Sequence, residues 1–197
     1  MLFLALLISE KLIQFARIYV AGAEIALGLG QAERTLLLLD ELKPLASETP
    51  WTLQLRGEAL FQLQKPQLAQ NAWERSLALR PTPDVHQRLA LYFENLGESE
   101  QATWHRAKAH HLMGLKHYLT NHVDPAHQEF QTAVDLDPSL ALSWYYLGET
   151  HRLKGEASLA QSAYEKCLEL NEHYQRARIS LERLEEGTGA STENAKE

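Results

Sequence analysis

Residues 141–170, ALSWYYLGETHRLKGEASLAQSAYEKCLEL, decide how the rest of the chain is read. Trp144, Leu147, Gly148 and His151 recur at three- and four-residue spacing, which places them on one face of a helix. Arg152 and Lys154 put positive charge at the negative end of that helix's dipole, and Gly155 is free to adopt a positive φ. In the next helix Ala160, Ala163, Tyr164, Cys167 and Leu168 form an apolar stripe of the same period. Neither helix can bury its stripe alone. The pair must stack on something like itself.

Trp144, the Leu147-Gly148 step, the turn at Gly155, then Ala160, Tyr164 and Cys167 together resemble the tetratricopeptide repeat, a helix–turn–helix of about 34 residues. His151 stands where that family usually has tyrosine, and Glu172 where it has a closing proline. The pattern recurs. Gly114, Ala126, Phe130 and Ala133 repeat it one unit upstream, closed by Pro138, with Asp137 placed to cap the next helix. Gly57, Ala69, Trp73, Ser76 and Pro81 repeat it again. Leu89, Ala90, Phe93, Gly97, Ala102 and Ala109 keep a weaker version, as do Tyr19, Ala23, Ala26, Gly30, Leu39 and Leu42.

The resemblance implies an all-α fold, a right-handed superhelical solenoid of antiparallel helix pairs. Residues 1–15 are expected to form an apolar helix packed on the first repeat. An array of about five units fills 16–174, its first and third degenerate. Residues 172–186 are expected to cap it with a polar outer face, and the small, polar stretch 187–197 to be disordered. One irregularity stands out: the units opening near Pro83 and Ala107 are only 24 residues apart. Residues 98–120 are therefore expected to be one helix serving two units, with Gly114 tolerated inside it. The superhelix is expected to change direction there.

Composition narrows the function classes. The chain of 197 residues is 45% hydrophobic with a net charge of −7, which disfavours nucleic acid and anionic membranes as partners. Its single cysteine, Cys167, sits in a packing slot, so no intramolecular disulfide can form. A reducing, cytoplasmic setting is expected, ahead of secretion or the periplasm. The opening MLFLALLISEKLIQ lacks a basic start, and Glu10, Lys11 and Arg17 interrupt the approach to a cleavage-like Ala21-Gly22-Ala23, so a packed helix is expected ahead of a signal peptide. The apolar run of residues 2–8 is too short for a membrane span. With no cysteine near the start, no lipid anchor is expected there.

No chemistry assembles along the chain. Six of nine histidines lie between His105 and His127, but no two are three or four apart, the spacing a helical metal site needs. No nucleophile elbow, phosphate loop or dinucleotide fingerprint occurs, and paired carboxylates such as Asp135/Asp137 lie at helix ends. No cofactor, metal, catalytic residue or small-molecule substrate is expected.

What remains is a binding surface. In the family the first helix of each unit lines a concave groove. Turning the helical wheel away from the core slots gives Trp51, Gln54 and Glu58; then Gln87, Leu91 and Glu94; then His111, Leu115 and Tyr118; then Tyr145, Glu149 and Arg152. The expected partner is a peptide segment or helix of another protein, held by apolar anchors between polar groups. A structural or assembly module, membrane-associated or part of a larger chain, is the alternative. Glu58, Glu94 and Glu149 would repel the acidic chaperone tails that some members grip with Lys/Asn pairs. His111, on the expected lining, either alters capture as it titrates near the ordinary imidazole range or, with the other histidines solvated, titrates without consequence; the second is the expectation.

Overall fold

Five turns share one backbone signature, and they set the architecture. Gly30, Gln64, Gly97, Asn121 and Gly155 all have positive φ, between 57° and 78°. In each, the amide of the next residue reaches back five positions to a carbonyl in the last turn of the preceding helix. These are Gln31 to Ala26, Lys65 to Leu60, Glu98 to Phe93, His122 to His117 and Glu156 to His151, at 2.8–2.9 Å. This cap reverses the chain and satisfies carbonyls that a helix end leaves open.

The computed structural model describes residues 2–43 and 48–193. Its helices are α1 Leu2–Gly28, α2 Ala32–Leu42, α3 Pro50–Gln62, α4 Pro66–Leu79 and α5 Pro83–Asn95. Then come α6 Ser99–Leu119, α7 Val123–Leu136, α8 Ala141–Leu153, α9 Ala157–Leu170 and α10 Gln175–Glu193. There is no strand among the described residues. The protein is all-α, built from helix pairs that meet across those turns.

Within the pairs one contact repeats. Gly57, Gly114 and Gly148 each face an aromatic ring sixteen positions later: Trp73, Phe130 and Tyr164. A Cβ at Gly114 would lie 2.7 Å from the Phe130 ring, and one at Gly148 2.6 Å from Tyr164, so no larger residue fits. The three aromatics are fully buried. In α1 and α2 the same register holds Ala23 and Leu39, where a smaller partner leaves room for a methyl group.

The turn at Asn121 follows the one at Gly97 by 24 residues, whereas Gly30 to Gln64 and Asn121 to Gly155 are each 34. Between Gly97 and Asn121 the chain has room for one helix only. That helix is α6, 21 residues long and unbroken at Gly114. At its start His105 stacks on Phe93, ring centroids 5.4 Å apart, and its later half packs on α7.

Several local expectations change. α1 is a single helix, with no break between residues 15 and 16. Leu12, Ile13 and Phe15 are exposed, and the side chains of residues 1–10 lie outside the described ones. Asp137 ends α7 rather than capping α8. Its carboxylate accepts from the Ser139 amide and hydroxyl, and α8 starts three residues beyond Pro138. α10 runs on to Glu193, through stretch 187–193 that was expected to be disordered, because no proline stops it and a glycine costs only about 1 kcal/mol. The last four residues lie outside the described ones.

The chain divides into two compact units, Met1–Tyr92 and Phe93–Glu197. In the first, Ala23, Leu39 and Leu55 form a core with Val20, Leu27 and Leu38 around it. In the second, Ala126, Phe130, Val134 and Leu147 form one cluster and Tyr145, Ala160, Tyr164, Cys167 and Ala177 another, with Trp144 packed on both.

Candidate functional site

In the second unit α6, α8, α9 and α10 converge on one carboxylate. Glu149 is 6% exposed and accepts four hydrogen bonds, one from each of these helices. Tyr164 Oη donates to Oε1 at 2.6 Å and Ser180 Oγ to the same oxygen at 3.1 Å. Arg152 donates to Oε2 at 2.8 Å and Tyr118 Oη at 3.3 Å. Burial pushes this carboxyl up, but the bonds from Arg152, Tyr164 and Ser180 outweigh it and leave Glu149 below the usual range. Glu149 is thus an ionised post that four helices share.

The donors respond in kind. Burial, with Glu149 beside it, pushes the Tyr118 hydroxyl up to about 12 and moves Tyr164 in the same direction. The hydrogen bond to Glu149 raises Arg152 further above its ordinary value. All stay protonated at any physiological pH.

Beside the post is a cleft of about 360 Å³, lined by Tyr145, Glu149, Arg152, Ser180, Arg183 and Leu184. Glu149 and Arg152 offset each other as an ion pair, so the net charge facing the cleft is that of Arg183. The Arg152 side chain is 43% exposed although tied to Glu149. Arg183 is exposed and forms no ion pair among the described residues. Behind them, the Tyr145 ring stands edge-on to Tyr174 and Tyr146, with centroids 5.1 and 5.0 Å away. These aromatic contacts hold the wall rigid.

Of the twelve residues expected on the groove, Tyr118, Tyr145, Glu149 and Arg152 meet here. His111 and Leu115 do not line it. His111 is buried, its Nδ1 2.9 Å from Ser143 Oγ and its ring against Phe130, and burial with Lys108 nearby takes its pKa down to about 4. Leu115 packs on the cluster of Phe130 and Val134. Glu94 pairs with Arg106 at the solvent. The other five lie in the first unit. Trp51 donates its indole N–H to Glu24, Gln54 is half-buried, and Gln87 and Leu91 are exposed on α5. Burial raises the Glu58 carboxyl although the Arg88 guanidinium lies 2.6 Å from its Oε1, an ion pair that lacks hydrogen-bond alignment.

Ser180, Arg183 and Leu184 were missed because α10 was read only as a cap. The period itself points to them: one 34-residue step from Tyr146 lands on Ser180, and one from Glu149 on Arg183. Two further histidines are tied into the fold. His110 lies 2.7 Å from Glu129 and His151 2.6 Å from Glu156, tying neighbouring elements together. Burial pushes the Cys167 thiol up to about 11, which makes it a packing residue and not a nucleophile.

Against known families, residues 141–174 match the tetratricopeptide repeat. That segment is a tetratricopeptide repeat. No curated protein matches the chain. Among solved structures it is similar to YrrB, a TPR protein with an unusual peptide-binding site, at 18% identity over 82% of this chain and 89% of that one, TM-score 0.41. It is similar to MamA from Desulfovibrio magneticus RS-1 at 23% identity over 81% and 97%, TM-score 0.42. It is also similar to pilF of Pseudomonas aeruginosa at 13% identity over 94% and 90%, TM-score 0.43. The tetratricopeptide fold is an interaction scaffold and is generally non-catalytic. Among the described residues no helix is long and apolar enough to cross a membrane.

Proposed function

We propose that the chain is a non-catalytic scaffold that holds an extended segment of another protein in the cleft between α8 and α10. That segment presents a carboxylate or another anionic group to Arg152 and Arg183, with an apolar side chain against Tyr145 and Leu184. The observation that carries this is the saturation of Glu149. An unpaired carboxylate would repel such a segment, whereas Glu149 is offset by Arg152 and has its oxygens held by four bonds within the fold, which leaves Arg183 as the net charge to be read. Guanidinium groups also suit carboxylates because they can donate two parallel hydrogen bonds.

The test is selection from a random-peptide library on the immobilised full chain, repeated with Arg183→Ala. The proposal expects acidic sequences with one apolar anchor, and their loss from the variant. Enrichment of basic sequences, or the same acidic set on both proteins, would overturn it.

A further inference from the structure

We infer that α1 and α2 carry a self-docking face, through which two copies of this chain associate about a two-fold axis. This stands apart from the proposed cleft and rests on different residues. α1 and α2 are packed on one side by α3. Their other side shows a seam: Phe15, Ile18, Gly22, Ile25 and Leu29 follow one another at steps of three, four, three and four. That is the narrow spacing of a coiled-coil seam. Single exposed apolar residues are ordinary, but a continuous row is not. Phe15 is 54% exposed, Ile18 and Ile25 are each 65%, and Leu29 is 68%. Alongside runs a cleft of about 300 Å³ between the two helices, walled by Ile18 and Ile25 on α1, by Leu29 in the turn after it and by Leu38 on α2. One face therefore carries both a ridge and a groove.

Symmetry and charge select the occupant. The seam reads nearly the same in both directions about Gly22. An antiparallel copy sets Phe15 against Leu29 and Ile18 against Ile25, as a two-fold interface requires. Gly22 marks the crossing point, where the absence of a side chain lets two backbones approach. A Cβ there would only touch Leu38, at 3.5 Å, so its own helix pair does not require the glycine. No charged residue lies on the seam. The one charge on the cleft is Arg34, whose guanidinium donates to Gln31, and an antiparallel arrangement carries the two copies of it to opposite ends. An anionic lipid surface would instead face a chain of net charge −7.

Sedimentation equilibrium of the full chain, from micromolar to millimolar concentration, tests this beside Ile18→Glu/Ile25→Glu. Both isoleucines are exposed, so helicity should survive. The expected result is a concentration-dependent dimer whose association weakens roughly thirtyfold or more in the double variant. Gly22→Cys adds an accessible thiol while Cys167 is buried. Oxidation of that variant should give a cross-linked dimer. A parent monomeric throughout, equal association in the double variant, or binding to phosphatidylserine vesicles in place of dimerisation would each overturn the inference.

Discussion

The pairs α1/α2 and α8/α9 follow one plan and are finished differently. Both reverse at a glycine of positive φ, and both set a small residue against a large one sixteen positions later. In α8/α9 the small residue is Gly148, its partner is Tyr164, and the hydroxyl of Tyr164 reaches a buried carboxylate. In α1/α2 they are Ala23 and Leu39, and the polar group beside them, the buried Thr35 hydroxyl, donates to the Ala23 carbonyl and reaches no carboxylate. An apolar register suffices to build a pair. The tyrosine hydroxyl is what adds a site.

The largest expected effect breaks that contact outright. Gly148→Leu would force its side chain into the Tyr164 ring and the Ala160 carbonyl, which lies 3.2 Å from a Cβ at that position. It should destabilise the second unit by about 3 kcal/mol or more. Ala23→Gly, the change that makes the first pair more like it, should cost only about 1 kcal/mol, mainly from helix propensity. Chemical denaturation followed by circular dichroism separates the two. Equal losses would mean that the pairs do not differ as described.

Next comes the post itself. Glu149→Ala strands the Tyr164 hydroxyl and releases Ser180 and Arg152, so a loss of roughly 2–4 kcal/mol is expected. Glu58→Ala in the first unit should cost well under that, since burial already disfavours its ionised form. The same urea titration reads both. If Glu58 proves the costlier, the carboxylate network is not what braces the second unit.

Acid should bear on the second unit through His105 and His111. Burial holds both near 4 in the folded state, below the ordinary 6.5. The unfolded chain therefore binds more protons, and stability falls as pH drops from about 6.5 to 4. It approaches a loss of roughly 3 kcal/mol per imidazole at the lower end. His111→Gln should flatten part of this dependence. It should leave peptide capture at pH 5.8 unchanged, because the parent imidazole is still neutral there. Stability that is flat across the window would contradict the burial of these rings.

The smallest effect is a gain. Gln64 holds the left-handed position that Gly155 fills in α8/α9, at φ 57°. Gln64→Gly should stabilise by about 1 kcal/mol, and a thermal midpoint below the parent's would show that its side chain contributes more than its backbone costs.

Which of these features the residues alone disclose follows from their chemistry. Gly57, Gly114 and Gly148 are legible because nothing but glycine fits beneath a packed ring, so the pattern of glycine and aromatic survives in the sequence. The turn at Gln64 is not legible, since any residue can be held left-handed by the bonds around it. Glu149 was read as a surface charge because a helical wheel gives direction and not burial. The donors that bury it, Tyr164 and Ser180, come from other helices. Arg183 lay one period beyond the last recognised unit, on a helix whose charged residues look like an ordinary polar cap. His111 was expected on the groove for the same reason as Glu149, and Ser143 accounts for its place inside.

The central claim is that a Glu149 offset by Arg152 leaves a cleft read through the charge of Arg183. Isothermal titration of an acidic peptide selected on the parent chain tests it most directly, with Arg183→Ala beside Arg80→Ala, a change to an exposed arginine of the first unit. Loss of one arginine contact at a binding hot spot costs about 2 kcal/mol. Arg183→Ala should then weaken binding roughly thirtyfold, with Arg80→Ala indistinguishable from the parent. Equal affinity for all three proteins, or equal weakening by both substitutions, would contradict it.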